Sequence, residues 1–401
     1  MPKSLVKDAL GNDVESISTE QGSGGIAPVS QNGSSPDDAE LAKIAAQLDV
    51  SIKIVGCGGG GSNTINRIVE TGISGAQLCA MNTDAKHLLS IHAPRKILIG
   101  RTVTRGLGAG ALPEMGEAAA RENENDIKEF IKGANIVFVT AGMGGGTGTG
   151  SAHYVARMAK ENQALVLGVV TLPFKAEGEI RMENALEGLE RLRRVCDTTI
   201  VIPNDKLLEL VPKLPIDAAF KVADEVLMQT IKGLTEIITK PGLVNLDYSD
   251  IRTVMNEGGV ALVGIGEADD EDPKERVETA VNEALNSPLL GEIDLAEAKG
   301  ALIRVVGGPD MTVSQAERAA EVVGSRISRR ARLIWGCSIE KELEGQIRIL
   351  LIVTGAKSSL MMTRSSQPVS SVAAPAPKRG ATASAARDNS FIRGPDIDFI
   401  N

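Results

Sequence analysis

A chain of 401 residues, 42% apolar and carrying a net charge of −9, is long enough for two domains with buried cores. No apolar run approaches the roughly 18 residues of a membrane-spanning helix, so direct membrane insertion is not expected. No basic run is long enough to track a phosphate backbone, which argues against nucleic acid as a partner.

Residues 1–36 are rich in Ser, Gly, Gln and Asn without periodicity and are expected to be disordered. The start also lacks an apolar stretch of signal-peptide length, so a cytoplasmic location is expected. Asp37 can cap a short helix to Leu48. From residue 49 to 216 the pattern alternates between strand and helix, with strands at Ser51–Val55, Gln77–Met81, Lys96–Ile99, Ile136–Thr140, Leu165–Val170 and Thr199–Ile202. A helix is expected from about Thr64 to Thr71. Such alternation, with continuous aliphatic strands, predicts a doubly wound, mostly parallel-sheet α/β domain. A long amphipathic helix follows over 217–240, stopped by Pro241-Gly242. Residues 241–356 change period. Strands at Gly259–Ile265, Gly300–Val306, Ala331–Cys337 and Gln346–Thr354, with helices at Pro273–Asn286 and Ser314–Ser328, predict a smaller α+β domain with a mixed sheet. Residues 357–390 read as an unstructured linker and 391–401 as an apolar-acidic tail peptide.

Two glycine-rich segments follow predicted strands. The first, Gly56-Cys57-Gly58-Gly59-Gly60-Gly61-Ser62-Asn63, satisfies G-x-G-x-x-G. The second, Gly144-Gly145-Gly146-Thr147-Gly148-Thr149-Gly150, precedes a helix beginning near Ala152. Glycine lets backbone N–H groups approach a phosphate, and a helix N-terminus adds partial positive charge. No Lys-Ser or Lys-Thr follows the second loop, so it is not a Walker A sequence. Two such loops suggest one phosphate chain held between two helix N-termini, at the carboxyl ends of the strands. The four cysteines and the histidines His87, His92 and His153 show no ligand or triad spacing. The cysteines read as reduced cytosolic thiols and the histidines as structural.

The first loop alone also fits an NAD-dependent dehydrogenase, with Asp84 as the acidic residue expected about 20 positions on. That reading leaves the second loop unexplained. The second loop, GGGTGTG, resembles the signature of the tubulin/FtsZ superfamily of GTPases. Further motifs agree in order: Met81-Asn82-Thr83-Asp84-Ala85, Gly106-Leu107-Gly108-Ala109-Gly110, Pro203-Asn204-Asp205-Lys206-Leu207 and Asn245-Leu246-Asp247-Tyr248-Ser249-Asp250-Ile251-Arg252. They are similar to the FtsZ cell-division branch, and the helix before the first strand with Ile334-Trp335-Gly336-Cys337 resembles its archaeal members. Ser62 and Leu112 depart from the pattern, standing where glycine and Asn are common.

The resemblance implies binding of GTP and GDP. It puts Gly59, Gly60, Gly61, Ser62, Asn63, Asn82, Asp84 and the second loop around the phosphates, Gly108, Ala109 and Gly110 beside the γ-phosphate, and Glu177 and Arg181 at the ribose and phosphates. A plain i,i+4 ion pair is the other reading of Glu177 and Arg181. A carboxylate that accepts from N1–H and the 2-amino group selects guanine, a role for Asp224 with Asn204 beside it. Phe220, one turn before Asp224, can stack on the base or serve as a core aromatic. No protein metal site is expected; Mg²⁺ would be carried by phosphate oxygens and water.

From Asp224 the long helix continues about 16 residues to Lys240, roughly 24 Å at helical rise. Asn245, Asp247 and Asp250 beyond its far end are therefore out of reach of their own subunit's nucleotide. They can act only on a neighbour stacked head to tail, an arrangement that does not close and so builds a filament. The other reading is that Asp247 and Asp250 cap a helix Asp250–Asn256. A polymerising cytoskeletal GTPase follows, forming a ring at midcell or, alternatively, serving cell shape. Its tail would bind a membrane-anchoring adaptor protein.

Overall fold

The computed structural model describes residues 50–210, 215–239, 248–256, 259–291 and 293–355. The expected Asp37–Leu48 helix, the linker, the tail, Asn245 and Asp247 lie outside them. Within the described residues, β1 (Ile52–Cys57), β2 (Ala76–Asn82), β3 (Arg95–Leu98), β4 (Ile136–Gly142), β5 (Leu165–Leu172) and β6 (Thr198–Pro203) pair in parallel. They continue into β7 (Gly259–Ala268), β8 (Gly300–Gly307), β9 (Arg332–Ile339) and β10 (Ile347–Thr354) as one ten-stranded sheet, ordered β3-β2-β1-β4-β5-β6-β7-β10-β8-β9. The junction is a short parallel pairing, Thr198↔Gly259 to Ile200↔Ala261. Beyond it the sheet is mixed, because β10 runs antiparallel to both β7 and β8.

Strand period 2 divides the core between the two faces. Ile52, Ile54, Ile136 and Phe138 face α1 (Gly58–Thr71) and the long α8 (Ile216–Thr239), burying with Ile65, Ile68, Val222 and Val226. Val55, Cys57, Val137 and Val139 face α5 (Gly146–Glu161) and α6 (Glu179–Arg193), burying with Tyr154, Val155, Leu189 and Leu192. Full burial of an aliphatic side chain of this size contributes about 1.5–3 kcal/mol. Beyond β6, Ile265, Leu302, Leu350 and Ile352 pack in the same cluster as Ile231 and Leu234 of α8. Helices α10 (Pro273–Leu285) and α11 (Val313–Arg326) cover the opposite face there through Val277, Val281, Ala319 and Val323.

Three helix starts differ from the sequence expectation. Helix α1 begins at Gly58 and not near Thr64, and α5 begins at Gly146, so both glycine runs are largely helical. The reason is close packing. A Cβ on Gly61 would stand 2.4 Å from the Thr140 carbonyl oxygen, and one on Gly150 would stand 1.9 Å from that of Pro113. Helix α9 (Tyr248–Met255) begins two residues before the expected Asp250, which puts Asp250 in its first turn and not at its cap. Between β3 and β4 lie α3 (Pro113–Glu122) and α4 (Glu124–Ile131). Helix α2 (Ala85–Ser90) follows β2, and α7 (Asn204–Leu210) follows β6.

Candidate functional site

β1 and β4 are neighbours in register, Cys57↔Ala141, so the two glycine segments leave the same edge of the sheet side by side. They touch: a Cβ on Gly58, at φ +71°, would lie 2.6 Å from the Gly148 nitrogen. The first turns of α1 and α5 thus converge, and their helix dipoles favour an anion there. Gly59 and Gly145 differ from their neighbours, for a Cβ on either would meet no atom within 4 Å. They face open space where Gly61, Gly146, Gly148 and Gly150 face backbone.

Several predicted contacts serve to shape the loops. Gly144 N–H donates to Thr149 Oγ1 at 2.8 Å, and Thr149 is buried. Gly146 N–H donates to the Gly110 carbonyl at 2.8 Å, tying the 106–110 segment to the second loop. Thr147 Oγ1 shares a 2.6 Å hydrogen bond with Thr83 Oγ1, which joins the end of β2 to the same loop. Gly108 N–H donates to the Thr83 carbonyl at 3.3 Å, and Asn184 Nδ2 donates to the Ala111 carbonyl at 3.0 Å. Ala109 is buried and Leu112 exposed. Ser62 Oγ is buried without a hydrogen-bond partner.

At the end of β2, Asp84 caps α2, accepting the His87 N–H at 3.0 Å. That occupies one oxygen of the carboxylate which the dehydrogenase reading needed for a ribose. The His87 ring lies 3.1 Å from both Asn82 Nδ2 and Asn63 Oδ1, joining the end of β2 to α1.

The residues chosen for base and sugar gather beyond β5 and β6. Phe220 is 40% exposed and meets the buried Phe174 edge-on, with ring centroids 4.9 Å apart, so it is not a core aromatic. Glu177 accepts the Phe174 N–H at 2.9 Å and pairs with Arg181. The Arg181 carbonyl lies against Gly144, within 2.7 Å of where a Cβ would be, so this pair stands beside the second loop. Asn204 is buried, and its Oδ1 has no hydrogen-bond partner, an acceptor awaiting a donor. Asp224 is half-buried, and loss of water pushes its carboxyl up to about 7, with Arg67 pulling down and Glu225 pushing up.

The described catalytic candidate lies elsewhere. Tyr248, two residues before Asp250, donates its hydroxyl to the Asn135 carbonyl at 3.2 Å, immediately before β4 begins. Thr239, the last residue of α8, reaches the Ser74 carbonyl ahead of β2. Helix α8 therefore runs from the carboxyl edge of the sheet, where Phe220 meets Phe174, to the amino edge. The exposed Asp250 is separated from the glycine loops by the length of β4, roughly 20 Å for a strand of this size.

Comparison with known proteins gives the family along most of the chain. Residues 51–212 match the Tubulin/FtsZ family GTPase domain, and residues 259–357 match the FtsZ family C-terminal domain. The cell division protein FtsZ 1 of Archaeoglobus fulgidus is 54% identical over 82% of this chain and 89% of its own length. The cell division protein FtsZ of Haloferax mediterranei is 50% identical over 91% and 95%. An empty FtsZ dimer from M. jannaschii superposes with a TM-score of 0.76 at 52% identity, covering 80% of this chain and 92% of that one. At 23% identity, the protofilament of CetZ2 from Haloferax volcanii shares the fold with a TM-score of 0.64. The chain therefore belongs to the FtsZ family of cell-division GTPases, within the tubulin/FtsZ superfamily.

Proposed function

We propose that this GTPase binds GTP at the carboxyl edge of its sheet and hydrolyses it only at the junction of two subunits stacked head to tail. The supporting observation is the separation of Asp250 from the glycine loops, at opposite edges of one sheet. Asn245, Asp247 and Asp250 of one subunit would complete the site of the next by orienting the attacking water. On the nucleotide side, Gly59, Gly60, Gly61, Ser62, Asn63 and the second loop would cradle the phosphates, and Gly108–Gly110 would meet the γ-phosphate. Asn82 and Asp84 would frame that cradle, and Glu177 and Arg181 would hold the ribose side.

Asp224 would accept from the guanine N1–H and 2-amino group, with Asn204 Oδ1 as a second acceptor and Phe220 stacking on the base. Mg²⁺, carried by phosphate oxygens and water, supplies charge neutralisation when bound. Leu107, Leu112, Ile180, Leu208 and Phe220 are exposed on segments leaving the carboxyl edge. They give that edge the apolar character of a subunit interface. The contact repeats without closing, so the product is a filament. In the cell, the filament would form a ring at midcell, held to the membrane by an adaptor that binds residues 391–401.

The test is GTP turnover per subunit against protein concentration. It should rise above a threshold, and Asp250→Ala should bind GTP and assemble yet turn over very slowly. Equal specific activity in dilute and concentrated protein would refute the shared site.

A further inference from the structure

The His87 imidazole stands between two asparagines that belong to different elements. Asn82 closes β2, and Asn63 lies in the second turn of α1, directly after the glycine run. The orientation of the Asn82 amide is fixed independently. Its Oδ1 accepts the Thr83 N–H at 2.8 Å and the Asp84 N–H at 3.4 Å, so Nδ2 must face the ring. Asn82 Nδ2 then donates to His87 Nδ1 at 3.1 Å, and that nitrogen must carry a lone pair. A neutral ring has its proton on the other nitrogen, and Nε2–H donates to Asn63 Oδ1 at 3.1 Å. Donor and acceptor therefore alternate along Asn82, His87 and Asn63 without conflict. The ring is itself held: its helix is capped by Asp84, which accepts the His87 N–H.

From this we infer that His87 is a positioning residue for the nucleotide, locking the loop after β2 to the first turns of α1. This rests on the reading of the glycine run, Asn63 and Asn82 as the phosphate side of the site. An asparagine amide can rotate between several partners, whereas a ring held at Nδ1 by the already fixed Asn82 amide leaves the Asn63 amide one orientation. His87 needs no contact with the nucleotide for this. Its effect is confined to groups near the phosphates, because base recognition sits on α7 and α8.

Gln offers one acceptor and two donors and can restore the alternation, whereas Leu fills comparable volume and offers neither. His87→Leu should weaken GTP and GDP binding about tenfold, the scale of losing such bonds in a preorganised site. Guanosine affinity should not change, and His87→Gln should recover most of the loss. In a double-mutant cycle with Asn63→Ala, the two losses should be non-additive. Equal weakening of guanosine and GTP, or unchanged GTP binding by His87→Leu, would overturn the proposal. Wild-type protein that binds neither nucleotide nor guanosine would instead sink the assignment of the site. Imidazole ¹⁵N shifts of the wild-type protein test the arrangement without any variant. A proton on Nε2 alone is expected, and one on Nδ1 would refute the bridge.

Discussion

Asp224 carries the most informative chemistry of any single residue. Its carboxyl is pushed up to about 7 by loss of water, and the proposed guanine contact needs it ionised. The folded pKa lies above the unfolded one, so the nucleotide-free fold gains stability as pH falls from about 7 toward about 4. GTP affinity should move the other way, falling up to about tenfold per pH unit below 7. Calorimetric titrations between pH 5.5 and 8.5 check this, and a flat profile in Asp224→Asn would assign it. That variant should bind GTP about 1.5–3 kcal/mol more weakly, the scale of a hydrogen bond to a charged group. Phe220→Ala should cost about 1–3 kcal/mol of binding, as for other base–aromatic stacks. It should have little effect on melting, because the ring is already 40% exposed. Cys57 and Cys79 are buried, and desolvation pushes both thiols up to about 12. They should resist alkylation until the fold opens.

At the scale of elements, the glycine-rich helix starts serve two purposes that substitution can separate. Gly59→Ala and Gly145→Ala add a methyl group into open space, so the fold should survive while GTP affinity falls. Gly61→Ala and Gly150→Ala push a methyl group into backbone oxygens at 2.4 and 1.9 Å and should cost at least about 1–3 kcal/mol of stability. Parallel melting and binding measurements distinguish the two classes. Helix α8 has a similar division along its length. Its first turns carry Phe220 and Asp224, while near its end the buried Glu236 pairs with the buried Arg304 of β8. Glu236→Gln removes the nearest counter-charge of the buried Arg304 and leaves it Glu340 at 3.6 Å, so it should destabilise by about 1–3 kcal/mol in denaturant unfolding. The pair anchors the helix to the mixed half of the sheet.

For the whole molecule, the consequence of a single continuous sheet is polarity. One edge offers the glycine loops with exposed Leu107 and Leu112, and the other offers α9 with Asp250. On the proposed shared site a subunit is incomplete alone, and activity becomes a property of the assembly. Sedimentation and turnover should therefore share one concentration threshold, and Asp250→Ala should separate them by assembling without turnover. Deletion of residues 391–401 should leave turnover and filaments intact in vitro and abolish recruitment to membranes by the adaptor. Normal midcell rings formed by the truncated protein would refute that role.

How much could be foreseen differs between these scales for physical reasons. Local rules sufficed for the strands, because continuous aliphatic runs and period-2 burial are written in consecutive residues such as Ile136 to Thr140. The two glycine loops and the length of the central helix were equally legible, and with them the proposal that Asp250 acts on a neighbour's nucleotide. Helix starts were not: Gly58 and Gly146 read as loop because glycine is a poor helix former. Only contact with the Thr140 and Pro113 carbonyls explains why nothing larger fits at Gly61 and Gly150. His87 was equally hidden, since a lone histidine on a short helix has no meaning until Asn63 and Asn82 arrive on either side of its ring. Sequence thus determined the elements, their order and the chemistry each loop could offer, all of which depend on neighbours along the chain. Tertiary structure alone decided which glycines pack and which stay open, how far Asp224 is desolvated, and what His87 joins. Those properties depend on atoms brought together from distant segments, and no local pattern encodes them.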